Sequence, residues 1–216
     1  MNIDLVISDV DETLLNSYDA VRVAQAKAIS RESILDYDQA VESLKSLGLE
    51  KTIDTYLGME LDSFFKGPYK TFDPVLAAQD GTMRLYDDVA RFLEGNVPVV
   101  AISNSSQKAS EEKMAALGIS DLFVGIHAEF EKGKAKPNLY LAEKAFSDLD
   151  EAGLYNPNDQ IVVIGDREYD IQFGHNIKSI HPNTVSVLMD RGKEYSGVKA
   201  DAVVNSFMDL YNLWGK

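Results

Sequence analysis

Short runs of apolar, mostly β-branched residues recur along the chain and limit its fold more than any other feature. They lie at 3–8 (IDLVIS), 97–103 (VPVVAIS), 122–126 (LFVGI), 160–165 (QIVVIG), 184–189 (TVSVLM) and 201–204 (DAVV). These runs are nearly continuous in hydrophobicity rather than alternating, as expected of strands covered on both faces. Segments with helical spacing separate them, at 86–94, 106–117, 138–149 and 206–214. Serines stand at the start of the second as cap candidates, and Gly118 stands at its end as a natural C′ residue. This βαβα order predicts an α/β fold, a doubly wound, mainly parallel Rossmann-like sheet. The ligand crevice of such a sheet lies beyond the carboxyl ends of its strands.

One interval departs from the pattern. Residues 15–82 contain no strand signal and read as helices (DAVRVAQAKAISRESIL, YDQAVESLKSLG, KTIDTYLGMELDSFFK), with GPYKTFDP as a break. A length of 216 residues allows one full domain and a smaller attachment. The expected organisation is a core of 1–14 and 83–216 with a helical unit, 15–82, inserted after the first strand.

Acidic pairs follow two of the predicted strands. The first strand runs into Asp9-Val10-Asp11-Glu12-Thr13, and residues two apart on an extended segment face the same way. The run 160–165 ends in Gly165-Asp166-Arg167-Glu168-Tyr169-Asp170, where Gly165 permits a tight exit from the strand. If these strands are neighbours, Asp9, Asp11, Asp166 and Asp170 converge on one crevice. Carboxylates gathered so closely repel each other unless a hard dication neutralises them, and Mg²⁺ suits oxygen ligands. A calcium loop of the EF-hand type is excluded, because Leu14 and Ala20 occupy the positions that need Gly and a bidentate Glu. At the end of 97–103, Ser103 and Asn104 offer a hydroxyl and an amide to an oxyanion before a helix start. Asn104-Ser105-Ser106 is formally a glycosylation sequon, but nothing in the sequence points to secretion. Lys134 and Lys136-Pro137 precede another helix, and a lysine there is a point charge suited to phosphate.

Charge and composition narrow the partners. With 21 basic and 35 acidic residues the net charge is −14, which disfavours nucleic acid and anionic membranes. The same field repels phosphate esters, so such a substrate needs a local positive charge. Zero cysteines exclude disulfides, zinc–thiolate sites and cysteine nucleophiles. Apolar runs are too short to span a bilayer, and a cytoplasmic location is expected. His127, His175 and His181 form no ligand pair and are expected to be structural or surface residues.

The ordered set strand-DxDxT, strand-Ser, Lys-Pro before a helix and strand-GDxxxD resembles the haloacid dehalogenase superfamily of phosphotransferases. The 15–82 insertion is similar to the helical cap that many members carry. The resemblance implies Asp9 as the nucleophile that forms an aspartyl-phosphate and Asp11 as acid and then base. It implies Ser103 and Lys136 on the phosphoryl oxygens. It further implies Mg²⁺ on the Asp9 carboxylate, the Asp11 carbonyl and Asp166, with Asp170 as a ligand or its support. Members commonly have Gly at the position of Glu12. Asp11 favours phosphoryl transfer over dehalogenation, because only a leaving alkoxide needs an acid. The implied activity is that of a phosphatase on a small phosphorylated metabolite, such as phosphoglycolate. A β-phosphoglucomutase-like isomerase and a catalytically silent binding protein are the alternatives. The cations Arg22, Lys27, Arg31, Lys66 and Lys70 are expected on solvated helix faces, and Tyr56, Phe64, Phe65 and Tyr69 in the core of the insertion.

Overall fold

The computed structural model of the chain describes residues 3–192, 197 and 199–214. In chain order its elements begin with β1 (Leu5–Ser8), β2 (Leu15–Asn16), α1 (Tyr18–Glu32), α2 (Tyr37–Leu47) and α3 (Leu49–Leu57). They continue with α4 (Leu61–Lys66), α5 (Pro74–Gln79), β3 (Arg84–Leu85), α6 (Asp87–Leu93), β4 (Val99–Ser103) and α7 (Gln107–Ala116). Last come β5 (Gly125–Ala128), α8 (Tyr140–Glu151), β6 (Ile161–Gly165), α9 (Glu168–Lys178), β7 (Thr184–Met189), β8 (Ala202–Val204) and α10 (Met208–Trp214).

Six strands form one parallel sheet in the order β5-β4-β1-β6-β7-β8. The chain steps outward from β1 through β4 to β5, crosses back over β1, and steps outward again through β6, β7 and β8. This is the doubly wound topology, and the direction of winding reverses between β1 and β6. Their register pairs Ser8 with Ile164, so the residues after these two strands emerge side by side. The expectation that the two acid-bearing strands are neighbours therefore holds.

Burial on both faces explains the unbroken apolar runs. On one face Leu5, Ile7, Val100, Ile102, Ile161 and Val163 pack against buried side chains of α8 and α9. Helix α9 approaches β7 so closely that a Cβ on Gly174 would meet Ser186 Oγ at 2.6 Å. Elsewhere Phe92 of α6 meets Phe207 and Tyr211, with ring centroids 5.3 and 5.1 Å apart.

The chain divides into two compact units, Ser17–Met83 and the remainder. Leu15 and Asn16 fall outside the helical unit and pair with Leu85 and Arg84 in an antiparallel ribbon. Within that unit Phe64 is fully buried, with Phe65 and Tyr69 packed beside it and Tyr56 half-buried. Lys27, Arg31 and Lys66 are exposed, Arg22 is half-buried with its guanidinium 5.2 Å from the Tyr18 ring, and the Lys70 side chain lies outside the described residues. The stretch 51–66 is two helices rather than one, because Gly58 takes a left-handed φ of 59° at the end of α3. The break at 67–74 leads into α5, whose N-cap Asp73 accepts from the amides of Val75 and Leu76 at 3.0 Å. The strand expected at 122–126 lies at Gly125–Ala128, since Ser120–Leu122 turn as a 3₁₀ helix. Among the described residues no helix is long and apolar enough to cross a membrane.

Candidate active site

The site grows from the carboxyl ends of β1 and β6. The Asp9 amide donates to the Ile164 carbonyl at 2.8 Å, extending the β1–β6 ladder by one rung and fixing the direction of its side chain. Asp166 follows β6 directly, and Asp170 sits in the first turn of α9, where its Oδ2 accepts from the Arg167 amide at 3.0 Å. Gly165 serves this geometry through space rather than through an unusual dihedral. A Cβ there would collide with Cβ and Cγ of Asp170. Asp9, Asp166 and Asp170 are all buried and bring carboxylate oxygens within 4.8 Å of one another.

Lys136 enters the same cluster. Its buried ammonium donates to Asp9 Oδ1, lies 2.7 Å from Asp170 Oδ1 and donates to the Ile102 carbonyl at 3.0 Å. Burial alone would weaken the ammonium's hold on its proton, but Asp170 and Asp9 overcome that and raise its pKa above the usual lysine value. Burial also pushes Asp9 upward, against the pull of Lys136. Asp170 is pushed up to about 8 by burial, with Lys136 opposing and Asp9 reinforcing the rise. Two carboxylates sharing one cation in a dry site remain short of positive charge, as the raised values express. The three acids therefore fit a hard dication, which would bind them as oxygen ligands and relieve their repulsion.

Ser103, 3% exposed at the end of β4, lies in this part of the sheet. Asn104, expected at the substrate, has its side chain on the backbone of Lys136. Its Oδ1 accepts from the Lys136 amide at 2.7 Å and its Nδ2 donates to the Lys136 carbonyl at 3.1 Å, bracing that residue from both sides. The short amide side chain, placed by β4, thus holds the lysine loop in position. Lys134 turns outward to Glu131, 2.7 Å away, and separates from Lys136.

The Asp11 side chain stands outside the acid cluster. Both of its oxygens accept from Lys113 Nζ, at 2.6 and 2.7 Å. Between the two acids and β2 the chain makes a tight turn, in which Glu12 adopts a left-handed φ of 67° and donates its amide to Leu15. That backbone conformation accounts for the glycine that members commonly place there. The turn is clamped by Arg191, whose Nη2 donates to the Thr13 carbonyl and whose Nη1 donates to Asp88, both at 3.0 Å. The same guanidinium stacks 3.9 Å from the centre of the Tyr86 ring, and burial together with Glu12 pushes the Tyr86 phenol up to about 12. Lys113, Arg191 and Tyr86 gave no signal in the sequence, since their partners are distant in the chain. Tyr169, whose ring lies 5.5 Å from Lys136 Nζ, stood inside the GDxxxD motif but at one of its unassigned positions. The histidines lie apart from the acids: among the described residues the one metal-competent group is Asp9, Asp166 and Asp170.

Comparisons with known proteins agree with this fold. Residues 3–178 match the family model described as haloacid dehalogenase-like hydrolase. No curated protein sequence matches the chain. Among solved structures, one from Haemophilus somnus described as a predicted phosphoglycolate phosphatase aligns with a TM-score of 0.71 at 19% identity, covering 99% of this chain and 98% of that one. A HAD phosphatase from Thermococcus onnurineus aligns at 0.67 and 18% identity, over 99% and 97% of the two chains. CbbY from Rhodobacter sphaeroides, solved with phosphate, aligns at 0.67 and 18% identity over 96% of each.

Proposed function

The chain belongs to the haloacid dehalogenase-like hydrolases, and on that premise we propose that it is a Mg²⁺-dependent phosphatase of small phosphomonoesters. The observation that supports this most is the pairing of a buried Asp9, held by Lys136 within an acid cluster, with an Asp11 kept outside that cluster. The two acids thus have separate surroundings suited to separate roles. An Asp9 carboxylate oxygen attacks phosphorus while the bond to the leaving oxygen breaks, and Asp11 gives that oxygen its proton. Water then attacks the aspartyl-phosphate and passes a proton to Asp11, and the bond between phosphorus and Asp9 breaks to release phosphate. Ser103 and Lys136 hold the phosphoryl oxygens. The Asp9 and Asp166 carboxylates and the Asp11 main-chain carbonyl would hold Mg²⁺, with Asp170 supporting them, and its charge would offset that of the phosphoryl group. The Ser17–Met83 unit is read as the family's cap. Because the Haemophilus somnus neighbour is described as a predicted phosphoglycolate phosphatase, phosphoglycolate is a natural first ester to test.

Hydrolysis of an aryl phosphate with Mg²⁺, followed by release of both products, tests the assignment. Asp9→Asn is expected to lose activity to background, and retained turnover there would remove Asp9 as nucleophile. Asp11→Asn is expected to lose roughly 10²–10⁴-fold, most on esters with poor leaving groups. Phosphoryl exchange between hydroxyls of a sugar bisphosphate, without net phosphate release, would instead identify a mutase.

A further inference from the structure

Lys113 is a buried lysine in the last turn of α7, and the mechanism above gives it no task. Its side chain is 4% exposed, while that of Asp11, which it grips, is 32% exposed. Burying an ammonium is unfavourable unless a partner compensates, and the Asp11 carboxylate, which takes Lys113 Nζ on both of its oxygens, is such a partner. The helix that carries it is fixed at its start. Ser106 Oγ accepts from the Ala109 amide at 3.2 Å, and Gln107 reaches β5 by donating to the Ile126 carbonyl and accepting from the Ala128 amide, both at 2.7 Å. A rigid base, a buried stem and a two-oxygen grip together define where the Asp11 carboxylate can be. Asp9 instead shares Lys136 with Asp170, so two acids two positions apart are held by different lysines.

We propose that Lys113 is the positioning residue for Asp11. One carboxylate oxygen stays tethered to Nζ while the other meets the leaving oxygen and, later, the attacking water. Lys113 itself transfers no proton and touches no substrate. Without the tether a half-exposed aspartate on a turn spreads over several rotamers, and orientation in the transition state is lost. The inference rests on the phosphatase reading given above.

The test compares Lys113→Met, nearly the same length but uncharged, with wild type on an alkyl phosphomonoester with Mg²⁺. The expected result is a kcat lower by roughly 10- to 100-fold with KM within about threefold. The same substitution made in Asp11→Asn is expected to change kcat by less than about twofold, since Lys113 acts only through that carboxylate. Lys113→Arg is expected to restore most of the loss. Calorimetric Mg²⁺ affinity is expected to be unchanged, and a large decrease would overturn the proposal by showing that Lys113 serves the acid cluster. Lys113→Gln provides the same comparison if thermal melting shows that the methionine variant does not fold. Equal losses in the wild-type and Asp11→Asn backgrounds would also overturn it. Full activity of Lys113→Met beside an inactive Asp9→Asn would overturn this inference alone. An inert wild type, or an active Asp9→Asn, would overturn the phosphatase reading and this inference together.

Discussion

The carboxylates of Asp9 and Asp170 compete for the single ammonium of Lys136, and Asp166 crowds the same few ångströms. The Arg167 guanidinium reaches Asp166 at 3.2 Å but is itself nearly half exposed, so it screens the cluster weakly. Nearby, Glu12 is the sole described non-glycine residue with a positive φ, a conformation that costs an L-residue about 1–2 kcal/mol and recurs at functional sites. Histidine behaves differently here. His127 is buried beside Asp148, 3.4 Å away, and burial depresses its pKa below 6.5 despite that carboxylate, with Lys144 adding to the depression. Because the folded state binds this proton more weakly than the unfolded state, the contribution to stability is present above about pH 6.5 and lost as pH falls through the folded value. Thermal melts of His127→Gln should therefore show a shallower fall in Tm between pH 7 and 5 than wild type. A residual slope is expected from His181, whose pKa burial also depresses. At this scale the sequence exposed the acids, because DxD and GDxxxD are local patterns. Lys113 and Arg191 stayed invisible, because each is defined by a partner more than a hundred positions away.

Among the elements, the exit of β6 into α9 shows how backbone space becomes chemistry. Gly165 has no room for a methyl group, since Asp170 fills the volume that a Cβ would need. Gly165→Ala is expected to displace Asp170, costing about 1–3 kcal/mol of stability from overpacking. Calorimetric titration should show a disproportionate loss of Mg²⁺ affinity, and an alanine variant with native affinity would contradict this account. The motif made Gly165 legible as a special residue, but the proposed reason, a tight turn, was incomplete. Helix α7 ends as expected, with Gly118 at φ 67°, because a left-handed C′ position leaves a direct mark on sequence. The boundaries of β5 did not leave such a mark. Residues 122–126 are apolar enough for strand or turn, and only packing places the strand at Gly125–Ala128. Likewise the β2–β3 ribbon contributes two residues from each side, too few to carry a pattern.

For the molecule as a whole, the net charge of −14 opposes the approach of an anionic ester even though Lys136 makes the site locally less negative. Raising ionic strength from about 10 to 150 mM should screen that field and raise kcat/KM by roughly two- to fivefold. A steady decline with salt, measured at saturating Mg²⁺, would show instead that the entrance attracts the substrate. The doubly wound order also has a consequence in time. Strand β1 lies inside the sheet, yet its partners Val99 and Val162 come far later in the chain than Val6. At about 5–20 residues per second a ribosome spends several seconds making what separates β1 from β4, and several more before β6. Meanwhile the intervening helices can form from neighbours close in sequence, whereas β1 has no strand to pair with. The nascent chain therefore carries Asp9 behind an unpaired apolar strand until late in synthesis, the interval when chaperone binding matters most to its yield.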